Sequence, residues 1–192
     1  MRRIPGRTRV LRAAAALLVS LLCAAPLTAA RAAGEVALTV DTAHAAAAGE
    51  QVALSVHAAD ALTVDSLQFR INYDAAALRL VDEPAVGEAL AGGIAISNTE
   101  TAGVVGFAFA CADGLSADGT LVTLTFEVLS QTGSAVVLTD VLATTVDAAR
   151  VQHKAYVTLQ NGGVAVGEGA AVPEPVVTPW PVETPVPTPA PT

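Results

Sequence analysis

The chain has 192 residues, of which 53% are hydrophobic and 4% aromatic, and its formal net charge is −8. This length fits one domain of ordinary size with short extensions. The acidic balance excludes nucleic acid and anionic membranes as favoured partners, because like charges repel.

Residues 1–32 have the features of a secretory signal peptide. The apolar segment 13–27 is shorter than the ~20 apolar residues that a membrane-spanning helix needs, so no span is expected after cleavage. Small residues at Ala30 and Ala32 fit the positions that a signal peptidase reads. Cleavage is predicted after Ala32, with Ala30 as the alternative. The positively charged start of this segment comprises Arg2, Arg3, Arg7, Arg9 and Arg12.

Removal of residues 1–32 changes the cysteine count and the charge. Cys23 leaves with the signal; Leu22 precedes it where a lipidation site needs a small residue, so lipidation is not expected. Cys111 then remains alone and has no partner for an internal disulfide. Since it lies in an apolar run, we expect a buried, inert thiol. Four basic residues remain against 18 acidic ones, a net charge of −14: Arg70, Arg79, Arg150 and Lys154.

Between residues 35 and 167 apolar residues alternate with polar or small ones. Alternation of period two places one side of each strand in a core and the other in water. Gly- and Asp-containing turns separate the runs. Roughly eight or nine short strands of this kind predict an all-β fold, an antiparallel jelly-roll-like sandwich over residues 33–170.

Residues 171–192 form a Pro/Thr-rich linker or tail. From Pro173 onward proline recurs every two to four residues. Proline fixes φ and lacks an N–H donor, so neither a helix nor a central strand is expected. The segment is predicted to be a stiff, extended spacer, with Trp180 exposed to solvent.

The sequence lacks the residue patterns of catalytic and metal sites. No HExxH motif, cysteine cluster, GxSxG elbow or phosphate loop occurs, so we expect no enzyme, no cofactor and no metal site. Asp113 and Asp118 lie in one loop without calcium-loop spacing, which favours two Asp-Gly turns. A sugar site usually has exposed aromatic rings, whereas the phenylalanines fall on the inward phase of their strands: Phe69, Phe107, Phe109 and Phe126.

One predicted strand, residues 104–111, carries unusually small side chains on one side. Its inward phase holds Val105, Phe107, Phe109 and Cys111, whereas its outward phase holds Val104, Gly106, Ala108 and Ala110. Such a row forms either a flat surface that a partner backbone approaches closely, or a surface covered by a loop. The residues alone favour neither alternative.

Four segments resemble the cohesin domain family. The run LQFRINYDAAALRLVD matches the family's strand signature through Phe69, Ile71, Tyr73 and Asp74, with Ala75 where proline is usual. GVVGFAFACADG and ADGTLVTLTFEVLS resemble the following two strands, and NGGVAV resembles the last. The resemblance covers roughly residues 35 to 167.

The resemblance implies a nine-stranded antiparallel jelly-roll β-sandwich that is secreted and extracellular. It also implies a non-catalytic module that binds a dockerin-type protein, with calcium on the partner's side, and assembles polysaccharide-degrading machinery. A carbohydrate-binding module of the same fold, with a polysaccharide ligand, and a structural cell-surface spacer are the alternatives. The implied partner-binding residues are Ser66, Gln68, Arg70, Asn72, Thr99, Gly106, Ala108 and Ala110.

Overall fold

A computed structural model describes residues 35–61, 63–115 and 117–175. The predicted signal peptide, residues 1–32, and most of the predicted tail lie outside these residues. In the described part of the chain no helix is both long and apolar enough to cross a membrane.

Two sheets contain all the strands that the structure describes. The first sheet has the order β12-β1-β3-β9-β5, with β6 also paired to β9. Its strands are β1 (Glu35–Val40), β3 (Gln51–Ala59), β5 (Leu78–Leu80), β6 (Ala85–Val86), β9 (Gly119–Val128) and β12 (Tyr156–Gln160). A single 3₁₀ turn, Glu88–Leu90, follows β6.

The second sheet has the order β2-β13-β10-β4-β8-β7, with β11 also paired to β10. The first and second sheets together give the β-sandwich that the alternation predicts. The strands of the second sheet are β2 (Thr42–Ala45), β4 (Val64–Tyr73), β7 (Ile94–Asn98), β8 (Val104–Ala110), β10 (Ser134–Val146), β11 (Gln152–Lys154) and β13 (Gly162–Val166).

Most strand pairs are antiparallel, but β1 pairs with β12 and β2 pairs with β13 in parallel. Only Asp41 separates β1 from β2, so the chain crosses from the first sheet to the second at this residue. The predicted sandwich is therefore confirmed, and these two parallel pairs are exceptions within its antiparallel sheets. Alternation reports which side of a strand is buried and carries no information on strand direction.

The core lies between the sheets and is built from the inward residues of both. All four phenylalanines are buried, as their strand phase predicts. Phe69 and Phe107 stack with ring centroids 5.0 Å apart, and Tyr73 meets Phe126 edge-on at 4.8 Å. Contacts of this geometry add to the hydrophobic stabilisation from burial.

The thiol of Cys111 is less buried than its sequence context predicts. Cys111 is only partly buried and follows the last residue of β8, Ala110. Its Sγ lies 3.8 Å from the carbonyl oxygen of Gly92. The expectation of a buried thiol is met only in part, because the residue lies one position beyond the strand that carries its neighbours into the core.

Candidate functional site

The outer side of the second sheet brings most of the predicted binding residues together. Strand β8 lies between β4 and β7, and side chains directly opposite one another in paired strands point to the same side. The registers therefore give three outward rows, which we call the β8 face. The rows are Ser66–Ala110–Ile94, Gln68–Ala108–Ile96 and Arg70–Gly106–Asn98.

Strand β10 extends these rows on the far side of β4. Leu142 lies opposite Gln68, and Thr139 lies opposite Arg70. The register shifts between Thr139 and Leu142, so that β10 has one more residue than β4 at this point. Asp140 lies in this bulge and has a φ of 52°. Such a bulge bends the strand locally and redirects side chains.

The floor of the β8 face carries small side chains between walls on β4 and β7. Gly106 and Ala108 form part of a cavity of about 260 Å³, and Ile96 and Asn98 line it on the β7 side. Gln68 and Arg70 line the opposite side on β4. The row of small residues is therefore open at this level and is not covered by a loop of the described residues.

Aliphatic side chains border the face on both edges. Ile94 is 74% exposed and Ile96 is 65% exposed on the edge strand β7. Leu142 is 49% exposed on β10. Solvated aliphatic groups around a concave floor are a common feature of protein-binding surfaces.

The charged groups at the face are paired with one another. Arg70 Nη1 donates to Asp140 Oδ2 over 2.7 Å. The guanidinium is about one-third exposed and the carboxylate about two-thirds exposed. This pair leaves the centre of the face without a large net charge, in contrast to the acidic chain as a whole.

One end of the small-residue row is closed. Val104 and Asn72, which pair with one another, are only 7% and 5% exposed. The Asn72 amide donates to Thr139 Oγ1 over 2.7 Å. Asn72 is therefore a buried structural residue rather than an accessible binding residue, and Val104 is not part of the open row.

Thr99 does not join the other predicted residues. It follows the end of β7 and lines a second depression with Glu100 and Arg79. The face cavity ends one residue earlier on this strand, at Asn98. Thr99 lies one position beyond β7 and lines the second depression instead of this cavity.

Sequence reasoning missed the aliphatic border and the acidic partner of Arg70. The run Ile94-Ala95-Ile96 alternates large and small side chains, which is typical of a strand, but this pattern does not indicate that the isoleucines face solvent. Asp140 and Leu142 gave no comparable signal, because their positions depend on the bulge in β10.

The acidic loop considered as a calcium site is used for protein contacts. Asp118 Oδ1 accepts a hydrogen bond from the Ala61 N–H over 2.8 Å. Asp113 pairs with Arg150 over 2.8 Å. Among the described residues no group of three or more His, Cys, Asp and Glu side chains is placed to hold a metal ion.

One histidine forms a polar chain on the outer side of the first sheet. His57 Nε2 lies 3.0 Å from Asp41 Oδ1, and its Nδ1 lies 3.2 Å from Thr120 Oγ1. The other Asp41 oxygen accepts from the Ser55 N–H over 3.1 Å. These bonds tie the crossover at Asp41 to β3 and β9, which is a structural role.

Comparison with known families identifies the fold. Residues 36–166 match the family described as the cohesin domain. The chain belongs to the cohesin family. Cohesin domains are non-catalytic protein-binding modules, and the matched span covers both sheets from β1 to β13. The comparison with curated proteins found no match.

Solved cohesin structures share the fold at low sequence identity. A non-cellulosomal cohesin from the archaeon Archaeoglobus fulgidus is 20% identical with a TM-score of 0.59; the match covers 69% of this chain and 91% of that chain. The seventh ScaB type I cohesin from Pseudobacteroides cellulosolvens is 18% identical with a TM-score of 0.60, covering 76% and 97%. The sixth scaffoldin B cohesin from Acetivibrio cellulolyticus, solved with a dockerin, is 19% identical with a TM-score of 0.57, covering 69% and 99%.

Proposed function

We propose that this cohesin is exported and binds a dockerin-type protein through the β8 face. The observation that carries the proposal is the open floor of Gly106 and Ala108 between side-chain walls on β4 and β7. Family membership supports a protein partner, and the solved complexes of other cohesins support a dockerin as its type.

The dimensions of the face suit a helical partner. Strands β4 and β7 are separated by two strand spacings, or about 9.5 Å. A helix with its side chains is about 10–12 Å across. A partner helix laid along β8 therefore contacts the small floor with one side and both walls with its flanks.

The aliphatic border supplies the apolar contact area. Ile94 and Ile96 on one wall and Leu142 beyond the other become buried when such a helix docks. Full burial of an aliphatic side chain contributes about 1.5–3 kcal/mol. Gln68 is exposed between them and provides hydrogen-bonding groups at the centre.

Charge favours approach of the partner at this face. The mature chain, with four basic residues against 18 acidic ones, has a net charge of −14. The Arg70–Asp140 pair keeps the face itself close to neutral. A partner with acidic groups is repelled least here, and electrostatic steering of this kind acts mainly on the association rate.

The predicted leader and family membership support a setting outside the cell. Export after cleavage at Ala32 places the domain outside the cell, where a dockerin-bearing enzyme of polysaccharide breakdown would be held on it. Calcium would bind on the dockerin, since the acidic loop residues Asp113 and Asp118 are already engaged.

Calcium-dependent capture tests the proposal. Immobilised protein is exposed to the source organism's culture supernatant with calcium and then with EDTA, and captured proteins that carry paired calcium loops are produced separately. Calorimetric titration of each purified dockerin should show binding with calcium and none with EDTA. Absence of calcium-dependent binding by every such dockerin would contradict the proposal.

A pair of exposed aliphatic residues localises the binding. Ile96→Ser on the β8 face should weaken binding about tenfold, or about 1.4 kcal/mol. Val86→Ser is the matched control, since Val86 is 56% exposed on β6 of the other sheet. Equal affinities for both variants would place the interface elsewhere.

A further inference from the structure

A second groove lies on the flank of the sandwich, between β10 and β12. It has a volume of about 500 Å³ and is lined by Val141 on one side and by Tyr156 and Leu159 on the other. Strand β12 is the edge strand of the first sheet. Strand β10 pairs along this flank with β13 through residues 134–136 and with β11 through residues 144–146, and the groove lies between these pairings.

The groove exposes an aromatic ring beside a lysine. Tyr156 is 81% exposed, whereas the other described aromatic side chains are buried. The Ala155 N–H donates to the Ala143 carbonyl over 2.9 Å and fixes the backbone between Lys154 and Tyr156. Within the described part of the chain, no carboxylate lies within ion-pair distance of Lys154.

We propose that this groove binds the chain's own Pro-rich segment, with Trp180 against Tyr156 and Glu183 beside Lys154. Proline-rich segments adopt extended polyproline helices that dock in grooves lined by aromatic side chains. Residues 176–192 supply such a segment, and Glu183 is its only charged residue. The lysine and the glutamate have opposite charges.

The spacing of the segment fits the spacing of the groove. A polyproline helix has about three residues per turn and rises about 3.1 Å per residue. In such a helix, positions 180 and 183 would be one turn apart and would project from the same side, about 9 Å from each other. Lys154 and Tyr156 are two residues apart in an extended chain, about 7 Å, and the long lysine side chain spans the difference.

The segment leaves the domain close enough to the groove for Trp180 to reach Tyr156. Val172 packs against the backbone of Gly163, since a Cβ on that glycine would lie 2.6 Å from Val172 Cγ1. Tyr156 lies seven residues before Gly163, at most about 23 Å away along extended chain. Trp180 lies eight residues beyond Val172, a reach of about 25 Å. The docked position is therefore within range.

The single tryptophan makes this proposal directly measurable. Trp180 is the only tryptophan of the chain, so its fluorescence reports on the segment alone. In the full chain we expect emission at shorter wavelength, and weaker quenching by acrylamide, than in a synthetic peptide of residues 176–192. Tyr156→Ala should shift both properties to those of the peptide, whereas Tyr156→Phe should retain the docked signal.

A charge exchange separates docking from any structural effect. Lys154→Glu should increase acrylamide quenching of Trp180, and the second change Glu183→Lys should restore protection. Val86→Ala is the matched control on an exposed position of the first sheet. The proposal is overturned if the full chain gives the peptide's emission and quenching, or if Tyr156→Ala leaves the full-chain signal unchanged while circular dichroism shows a folded domain.

Discussion

Phe69 on β4 and Phe107 on β8 lie directly opposite one another, and their rings stack with centroids 5.0 Å apart inside the sandwich. Because side chains alternate along a strand, the adjacent pairs face outwards. The same register places Gln68 opposite Ala108 on the outer side. A slip by one residue would turn the phenylalanines to solvent, so the inner pair specifies the arrangement of the outer face.

Phe107→Ala should be strongly destabilising. It removes one ring of the stacked pair from a position only 3% exposed, and truncations of buried phenylalanine cost about 3–5 kcal/mol. Phe107→Leu retains most of the volume and should cost about 1.5 kcal/mol or less. Urea unfolding followed by circular dichroism measures both values. Similar free energies of unfolding for Phe107→Ala and the wild type would show that the pair does not hold the register.

Two glycines should respond in opposite directions to alanine. A Cβ at Gly162 would lie 2.0 Å from the Asp41 carbonyl oxygen, at the crossover between β1 and β2. Gly162→Ala should therefore destabilise the fold by about 3 kcal/mol. At Gly106 the nearest atom to a Cβ is the Asn98 Cβ at 3.7 Å, so Gly106→Ala should be tolerated and should stabilise the strand by about 0.5–1 kcal/mol.

Thermal unfolding of both variants distinguishes a packing requirement from a general preference for glycine. A melting temperature for Gly162→Ala equal to that of the wild type would contradict the close approach at the crossover. A large decrease for Gly106→Ala would show that the floor of the β8 face has no room for a methyl group.

Asp65 should make stability depend on pH in the acidic range. Burial raises the pKa of this carboxyl, but hydrogen bonds donated by Thr144, Gln152 and backbone N–H groups outweigh burial and leave its pKa below the usual value. A lowered folded-state pKa stabilises the fold above the unfolded value of about 3.9. This stabilisation is lost as the pH falls through the folded-state pKa.

Asp65→Asn tests this contribution. The amide NH₂ cannot accept from Gln152, so the variant should lose about 1–3 kcal/mol at pH 7. As the pH is lowered from 5, the free energy of unfolding of the variant should decrease less than that of the wild type. Asp82→Asn is the control, because Asp82 is exposed to solvent. Parallel pH profiles for Asp65→Asn and the wild type would exclude a role for this carboxyl.

Cleavage of the predicted signal peptide should give the exported protein a new N-terminus. Protein secreted by a bacterial host should begin at Ala33, or at Arg31 if the alternative site is used. Mass spectrometry of the secreted protein measures the cleavage position. Retention of Met1 in exported protein would contradict a cleavable signal.

The buried side of each strand could be predicted from the sequence, because the alternation of apolar and polar residues reports burial directly. The inward phase of Phe69, Phe107, Phe109 and Phe126 was predicted correctly for this reason. The parallel pairs β1–β12 and β2–β13 were not, since they depend on a crossover at one residue, Asp41. Nothing in a local pattern specifies which distant strand becomes the neighbour.

Strand alternation also predicted part of the candidate site. Gln68 and Ala108 lie in regular strands, and their outward position follows from the neighbouring phenylalanines. Asn72 has the same phase but is buried, and its amide donates to the Thr139 hydroxyl. Asp140 reaches Arg70 only through a bulge with a φ of 52°, a backbone conformation that the residue sequence around it does not require.

The central claim is that a dockerin-type partner binds the β8 face, and a charge placed on its floor tests this most directly. Ala108→Arg fills the cavity between Ile96 and Gln68 with a long cation, whereas Ala53→Arg places the same group on the exposed side of β3 in the other sheet. Calorimetric titration with the calcium-loaded dockerin should give about 100-fold weaker binding for Ala108→Arg, or about 2.7 kcal/mol. Ala53→Arg should bind within about twofold of the wild type. Unchanged affinity for a folded Ala108→Arg protein would contradict the β8 face as the binding surface.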